Sequence, residues 1–310
     1  MKTFAVINPR SAGGKTGRDA QDIARRLAEV TGSLSVAITS GPLDASRITS
    51  RALLEGFDRI IAVGGDGTIN EVVNGFFHEG EMINPEAELS LLSLGTGGDF
   101  RKTIGIGTTE EALAALAARK IVRADVGRVT YRAHGAAASD PASVRYFINI
   151  ASFGLSGLVD RHVTSLKQWG GKVAYYGATL MSLWGWKNPR VTLTLDGERL
   201  ASRPIVTVAV GNGRYFGGGM KVCPDARIDS GHFDVTALGD FSRLELMLAS
   251  RNLYTGHHVY DPRVFVRSAR VVDAEAEPNV DVHLDIDGEP LGILPARFEV
   301  VPGAIGVVVA

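Results

Sequence analysis

The sequence predicts two domains of different classes, an N-terminal α/β domain with a parallel sheet and a second domain that is an antiparallel β-sandwich. Up to about residue 126, apolar runs that end in glycine alternate with segments whose apolar residues recur at helical spacing. Beyond that point strand-like runs dominate, and only two helical stretches stand out, at about 155–185 and 242–252. We expect domains over 1–126 and 127–295, with 296–310 returning to the first domain.

The first domain is predicted as strands separated by helices. The strands are Thr3–Ile7, Leu34–Thr39, Ile60–Val63 and Leu89–Leu94. The helix after the first strand ends at Gly32, the next has Asp44 as its N-cap, and Thr108 with Glu111 has the spacing of a capping box. Strand–helix alternation implies a parallel sheet, and such sheets bind ligands beyond the carboxyl ends of their strands.

The second domain is predicted from short strand-like runs at irregular intervals. They are Val126–Tyr131, Phe147–Ala151, Val191–Leu195, Ile205–Val210, Phe233–Leu238, Val264–Val266 and Val282–Ile286. Two further runs, Arg297–Val301 and Ile305–Val309, have the character of terminal strands. This density of strands with few helices is typical of a sandwich.

The charge, the cysteine count and the lengths of the apolar runs argue against several classes of protein. A net charge of −1 argues against a nucleic-acid-binding protein, since no basic excess is present to displace counterions. The single cysteine, Cys223, excludes an intrachain disulfide and fits a reducing compartment. We find neither a signal peptide nor an apolar run long enough to span a bilayer. We therefore expect a cytoplasmic protein, with transient contact at a membrane surface left open.

The most informative motif follows the third strand of the first domain, where Gly64-Gly65-Asp66-Gly67-Thr68 precedes a helix. Glycines allow a large anionic ligand to approach the backbone N–H groups, and a helix N-terminus favours phosphate. The carboxylate of Asp66 would repel phosphate, so its presence here indicates either a bound metal ion or a role in proton transfer. The stretch Asn8–Thr16 ends like a phosphate-binding loop but has Pro9 at the required first glycine, so a plain turn is its alternative interpretation.

Together these motifs resemble the diacylglycerol kinase catalytic-domain family of lipid kinases, which includes sphingosine and ceramide kinases. The resemblance covers nearly the whole chain. It rests on Asn8-Pro9 with its Ser/Gly turn, 64–71, Leu94-Gly95-Thr96-Gly97-Gly98-Asp99-Phe100, Gly217–Ala226 and Asp285–Leu291. The resemblance implies an NAD kinase/diacylglycerol kinase-like α/β domain, a β-sandwich, and an active site in the interdomain cleft.

The family's functional residues carry over to matching positions of this chain. Glu289 would be the general base on the lipid hydroxyl, Asp287 would support a magnesium-linked network, and Asp66 would act beside Mg²⁺ and ATP. The positions implied to bind nucleotide are Asn8, Ser11, Thr39, Gly64, Gly65, Asp66, Gly67, Thr68, Asn70, Glu71 and Thr96. Asp-Gly is also a common hairpin dipeptide, so a plain hairpin is the alternative interpretation of Asp287-Gly288-Glu289.

The chain departs from the family pattern at two positions. Gly98 stands where the family usually has Asn, and Ser230 stands where bacterial relatives have a metal-ligating Asp. A serine lacks the negative charge that a hard cation prefers. We expect neighbouring Asp229 and the carbonyls of Arg227 and His232 to complete a metal site with Ser230.

An aromatic-rich stretch at 166–186 has two interpretations, core packing or a lipid-admitting wall with tryptophans at the membrane interface. Its large side chains include Trp169, Tyr175, Tyr176, Leu180, Met181, Leu183, Trp184 and Trp186, with Lys167 and Lys172 among the nearby basic residues.

The sequence therefore predicts an ATP- and Mg²⁺-dependent lipid kinase, with diacylglycerol as the default acceptor and a membrane surface as the partner. Ceramide or a sphingoid base is the alternative acceptor. A catalytically impaired nucleotide- or lipid-binding homologue and a soluble-substrate kinase of the NAD-kinase type are the alternative functions, and a homodimer is left open.

Overall fold

A computed structural model describes residues 1–93, 98–137, 140–166 and 186–310. The chain divides into two compact units, the first comprising 1–126 and 301–310 and the second comprising 127–300. Residues 296–300 thus belong to the second unit, and only the last ten residues join the first.

The first unit is built on a parallel sheet. Its strands are β1 (Thr3–Ile7), β2 (Leu34–Ile38), β3 (Arg59–Val63), β6 (Glu88–Leu92) and the end of β18 (Glu289–Val309). The spatial order is β2-β1-β3-β6-β18, and every neighbouring pair is parallel. The short hairpin of β4 (Phe77–His78) and β5 (Glu81–Met82) pairs separately. The predicted parallel sheet is confirmed.

Helices connect these strands, as the helical spacing of apolar residues predicts. They are α1 (Lys15–Arg18), α2 (Ala20–Thr31), α3 (Asp44–Leu54), α4 (Asp66–Asn74), α5 (Asp99–Thr103) and α6 (Thr109–Ala118). Thr108 and Glu111 form the predicted capping box of α6, because each side chain bonds the other residue's backbone N–H. The inner face of α2 places Ile23 and Leu27 in a core with apolar residues of β1 and β3.

The second unit consists of antiparallel strands around one large apolar core. Its strands are β7 (Lys120–Ala133, which begins in the first unit), β8 (Ser143–Phe147), β9 (Ile150–Gly154), β10 (Arg190–Leu195), β11 (Glu198–Arg199), β12 (Arg203–Pro204), β13 (Thr207–Gly211), β14 (Phe233–Leu238), β15 (Val264–Ala269), β16 (Val271–Ala276), β17 (His283–Ile286) and the start of β18. One group follows the order β15-β14-β13-β9-β17-β18, and β10 pairs with β11, β12 and β16. Both groups contribute to the same core, so the predicted antiparallel β-sandwich is confirmed.

Two α-helices, α7 (Leu155–Leu166) and α8 (Arg243–Thr255), and a 3₁₀ helix (His257–Tyr260) accompany these strands in the described residues of the second unit. The predicted helical stretch at 242–252 corresponds to α8. The predicted stretch at 155–185 begins as α7, and its part beyond 166 lies outside the described residues, as do all the aromatic residues named above except Trp186.

Some strands of the second unit differ from the sequence prediction. The predicted strand Phe147–Ala151 is divided between β8 and β9, because the backbone N–H groups of Ile148, Asn149 and Ile150 turn towards the carboxylate of Asp287. Strand β16 was not predicted. Its alternating alanine and acidic residues are weak strand formers, and pairing with β10 and β18 stabilises it.

Candidate active site

The carboxyl ends of the parallel strands bring most of the predicted nucleotide-binding residues to one edge of the first unit. Ile7 of β1 lies in register with Ile38 of β2 and with Val63 of β3. The residues that follow these strands, Asn8, Thr39 and Gly64, therefore leave the sheet side by side. This is the edge at which parallel sheets bind ligands.

A direct hydrogen bond joins two of the predicted loops at this edge. The side-chain NH₂ group of Asn8 donates to Oγ1 of Thr68 at 2.9 Å, and the side-chain oxygen of Asn8, Oδ1, accepts from the backbone N–H of Arg10 at 3.0 Å. The hydroxyl of Ser11 donates to the backbone carbonyl of Asn8 at 3.0 Å and lies 2.5 Å from the hydroxyl of buried Thr16. These bonds order the Asn8–Thr16 turn against the glycine loop.

Gly64 and Gly65, the first two glycines of the loop, differ in the space around them. A Cβ at Gly64 would overlap Oγ1 of Thr68, so only glycine fits there. At Gly65 a Cβ would meet no heavy atom within 4 Å. Gly65 is also the N-cap of α4, and it has no side chain to bond the first N–H groups of that helix. Open space beside a helix N-terminus without a side-chain cap fits a phosphate group.

The carboxylate of Asp66 connects this loop to the next one along the sheet. The backbone N–H of Asp99 lies 3.1 Å from both of its oxygens, and that of Phe100 lies 3.5 Å from Oδ1. Asp66 thus bonds the start of α5. Gly98, which precedes α5, has a φ of 111°, a conformation that side-chain-bearing residues rarely adopt.

The remaining predicted residues of the first unit have structural contacts as well. The carboxylate of Glu71 accepts from the backbone N–H of Ala45 at 3.1 Å, at the start of α3. Buried Asn70 accepts from the side chain of Asn74 through its backbone carbonyl at 2.8 Å. Gly67 lies in the first turn of α4, whereas Thr96 lies outside the described residues.

Thr39 is buried, and the loop that carries it is held by Asp44. One carboxylate oxygen of Asp44 accepts from the backbone N–H of Ser40 at 2.7 Å and from its hydroxyl at 2.8 Å, and the other accepts from Arg47 at 2.6 Å. These bonds, that from the Ser40 N–H first, lower the pKa of Asp44 to about 2.

This lowered pKa predicts a pH-dependent contribution to stability. A carboxylate whose pKa is lower in the folded than in the unfolded state stabilises the fold above its unfolded pKa of about 3.9 and ceases to do so as the pH falls through its folded value. Asp44→Asn should therefore unfold at a lower temperature than the wild type at pH 7, with the difference shrinking between about pH 4 and pH 2. Thermal unfolding against pH tests this, and a difference that does not depend on pH would contradict it.

In the second unit, Asp287 and Gly288 form the two-residue turn between β17 and β18. Both have positive φ, 52° and 87°, and Ile286 pairs with Glu289 across the turn. The hairpin interpretation is therefore correct as a description of the backbone. The carboxylate of buried Asp287 accepts the N–H groups of Ile148, Asn149 and Ile150 at 3.0, 3.1 and 3.0 Å. Asp287 thus anchors the turn to the β8–β9 segment.

Two side chains to which the sequence analysis gave no role support the same turn. Oδ1 of buried Asp285 accepts from the backbone N–H of Gly288 at 2.7 Å, and its Oδ2 accepts from the hydroxyl of Ser152 at 3.3 Å. Ser152 lies opposite Asp285 in the pairing of β9 with β17. The two residues are 133 positions apart in the chain, so no local pattern could have connected them.

Glu289 contrasts with its neighbours. It is the first residue of β18 and is half-buried. Within the described ranges no group hydrogen-bonds its carboxylate, while Asp285 and Asp287 both bond backbone N–H groups. A carboxylate held on a rigid turn and left without a partner from the described chain can accept a proton from a substrate.

The four predicted metal ligands lie in the turn before β14. The hydroxyl of Ser230 is 3.1 Å from the carbonyl oxygen of Arg227 and 2.8 Å from that of His232, so both carbonyls point to one position that the hydroxyl occupies. The carboxylate of Asp229 pairs with the guanidinium of Arg227 at 3.2 Å. The Ser230 hydroxyl thus lies where the two carbonyls converge, the guanidinium of Arg227 neutralises the carboxylate of Asp229, and the metal role of these four residues stays a prediction.

Among the described residues, no three His, Cys, Asp or Glu side chains are grouped as ligands of one metal ion. No helix in the same ranges has the length and apolar character needed to cross a bilayer.

Comparison with known proteins identifies the relatives of this chain. Residues 2–129 match the family described as the diacylglycerol kinase catalytic domain, and residues 149–309 match the YegS C-terminal NAD kinase beta sandwich-like domain. The chain is 32% identical to "Probable lipid kinase YegS-like" of Pseudomonas aeruginosa, over 99% of this chain and 93% of that protein. It is 27% identical to the diacylglycerol kinase of Mycobacterium tuberculosis, over 99% of this chain and 94% of that protein.

Solved structures support the fold. The crystal structure of a diacylglycerol kinase from Bacillus anthracis matches with a TM-score of 0.69 and 20% identity, over 100% of this chain and 97% of that chain. Yeast NADH kinase, complexed with NADH, matches with a TM-score of 0.54 and 13% identity, over 99% of this chain and 82% of that chain. At these identities the likeness establishes the fold alone.

Proposed function

Because this chain belongs to the lipid kinase family that combines a diacylglycerol kinase catalytic domain with a YegS-type sandwich domain, we propose that it phosphorylates a hydroxyl of a membrane lipid. Diacylglycerol is the acceptor we propose first, because similar proteins such as that of Mycobacterium tuberculosis bear that name. Ceramide or a sphingoid base is the alternative. The protein would meet its substrate by peripheral contact with the membrane surface.

The observation that carries this proposal is the contrast between Asp287 and Glu289. The first carboxylate is engaged by three backbone N–H groups and shapes the turn, whereas the second has no partner in the described chain. We assign Glu289 as the general base that takes the proton of the lipid hydroxyl as its oxygen attacks phosphorus. Asp287 then acts by positioning the turn that carries Glu289.

ATP supplies the transferred phosphoryl group, and we propose that the loops of the first unit hold it. The open space at Gly65 and the start of α4 suit a phosphate, and the Asn8–Thr68 bond keeps the loops in place. Mg²⁺ is commonly held by one or two carboxylates together with substrate phosphates. Asp66, an oxygen donor with a negative charge on the same loop, has the chemistry to serve as that carboxylate.

A lipid panel tests the proposal. Purified protein with ATP and Mg²⁺ should convert diacylglycerol in mixed micelles to a product heavier by one phosphate, which mass spectrometry identifies. Micelles without acceptor are the control, and ceramide, sphingosine and NAD are tested in parallel. Phosphorylation of NAD alone would overturn the lipid assignment, and ATP binding without turnover on any lipid would favour a non-catalytic protein.

The two loop glycines provide a matched pair of variants. Gly65→Ala should lower the free energy of unfolding by no more than about 1 kcal/mol, because its methyl group enters open space at a φ of −96° and the remaining cost is that alanine is a poorer N-cap than glycine. The same methyl group should raise the KM for ATP about tenfold by keeping phosphate away from the backbone. Gly64→Ala should instead lower the free energy of unfolding by about 1–3 kcal/mol, because its methyl group overlaps Thr68.

Chemical unfolding and steady-state kinetics of the two variants check this pair. An unchanged KM for ATP in Gly65→Ala would contradict the proposed position of the phosphates.

A further inference from the structure

Helix α8 has an outward face that exposes large apolar side chains. Leu244, Met247 and Leu248 are 68, 59 and 75% exposed, and Tyr254 is 53% exposed. Positions 244, 247 and 248 lie next to one another on a helix surface, so these side chains form one patch and not isolated exposures. We call this set, together with the arginines described next, the α8 face.

The charges on the α8 face are all positive. At 100° per residue, Arg251 lies between Met247 and Leu244, and Arg243 lies beside Tyr254. The only acidic residue of the helix, Glu245, is directed elsewhere, because it completes the capping box with Ser242 and pairs with Arg263 at 2.8 Å. An apolar surface with only cationic charges is complementary to an anionic lipid surface.

The opposite side of α8 holds the helix in the second unit. Leu246, Ala249 and Leu253 pack against a core cluster that includes Val222 and Phe241. The capping box at Ser242 and the left-handed Gly256 define the two ends of the helix. The exposed apolar residues are therefore presented by an anchored helix, and the helix does not need them for its own packing.

A depression at the start of α8 extends the same surface. It has a volume of about 640 Å³, and its lining includes Trp186, Lys187, Arg243 and Leu244 together with the acidic Asp240 and Glu245. Lys187 and Asp240 are both exposed, so the depression adds an aromatic and a lysine side chain to this surface but no net charge. Tryptophan and lysine side chains are characteristic of surfaces at the membrane–water interface.

We propose that the α8 face docks this protein on anionic phospholipid bilayers, with the axis of α8 along the membrane surface and Leu244, Met247 and Leu248 inserted among the headgroups. The inference rests on the proposed function, since a kinase acting on a lipid hydroxyl must reach a bilayer. It adds the surface that makes the contact and the lipid charge that this surface selects. The arginines attract the anionic headgroups, and the apolar residues provide the attachment.

Vesicle binding without ATP tests this independently of catalysis. The full-length protein is sedimented with phosphatidylcholine vesicles that contain or lack phosphatidylglycerol. The variants are Leu244→Gln/Met247→Gln/Leu248→Gln and Arg243→Gln/Arg251→Gln. Leu54→Gln, at an apolar residue 72% exposed on α3, and Arg270→Gln, at an exposed arginine, are the matched controls.

We expect the wild type to prefer the anionic vesicles and the triple variant to bind them at least about tenfold more weakly. The arginine variant should bind the anionic vesicles about fivefold or more weakly than the wild type, with the largest loss of binding at low salt, while both controls bind as the wild type does. All four variants change exposed side chains and should keep the wild-type melting temperature. In a kinase assay the triple variant should lose activity on vesicles but not on a short-chain, monomeric acceptor.

Two results would overturn the docking proposal. One is unchanged binding of the triple variant to anionic vesicles. The other is a wild-type dimer that the triple substitution dissociates without weakening vesicle binding, which would make the α8 face a contact between protein copies. If the protein binds as expected but phosphorylates no lipid, the proposed function fails and the docking surface stands.

Discussion

Replacing Glu289 by glutamine should abolish most of the phosphotransfer activity while leaving the protein as stable as the wild type. General-base catalysis contributes about 10²–10⁴-fold to rates, and an amide cannot accept the hydroxyl proton. We expect kcat to fall by that factor on the lipid acceptor. The free energy of unfolding should change by less than about 0.5 kcal/mol, because no group of the described chain bonds this carboxylate.

The control for this prediction is Glu81→Gln, which makes the same chemical change at an exposed position of strand β5. It should leave both quantities at their wild-type values. Single-turnover kinetics and urea unfolding provide the two readouts. If Glu289→Gln retained wild-type kcat, Glu289 would not be the base, and the proposed mechanism would lose the observation on which it depends.

Replacing Asp287 by alanine should, unlike Glu289→Gln, cause a large loss of stability. Three buried N–H groups would lose their acceptor, and each orphaned buried donor costs about 1–3 kcal/mol. Alanine at a φ of 52° adds about 1 kcal/mol of strain. We expect the free energy of unfolding to fall by about 3 kcal/mol or more, measured by urea unfolding.

The variant Asp287→Asn separates what the charge of Asp287 contributes to stability and activity from what its geometry contributes. Asparagine tolerates a positive φ and keeps one oxygen acceptor, so it should cost less stability than alanine. Its activity should also exceed that of Glu289→Gln, because Asp287 positions the turn and does not take the proton. A full loss of activity in a stable Asp287→Asn protein would instead place this carboxylate in the chemistry.

Much of the fold could be predicted because its signals are local. Strands β1, β2, β3 and β6 were predicted to within one or two residues, since each is a short apolar run. The capping box of α6 follows from the spacing of Thr108 and Glu111. Strand β16 escaped prediction because its alanines and acids acquire strand character only through pairing.

The contacts of the candidate site were less predictable than its residue types. The glycine loop and the Asp-Gly-Glu turn could be recognised from the sequence, but the partners of their carboxylates could not. Asp66 bonds a backbone 33 residues away, and Asp287 bonds one more than 130 residues away. Hydrogen bonds across such separations leave no periodic pattern in the sequence.

The sequence by itself determined that this protein has a glycine-rich loop after a buried strand, two domains, and the motifs of the lipid kinase family. Only the tertiary structure decided that Asp287 anchors a turn while Glu289 stays without a partner in the described chain. It also placed a serine hydroxyl between the carbonyls of Arg227 and His232. The physical reason is that residue types and spacing specify local backbone conformation, whereas the chemical state of a carboxylate depends on which distant N–H groups and cations the fold brings to it.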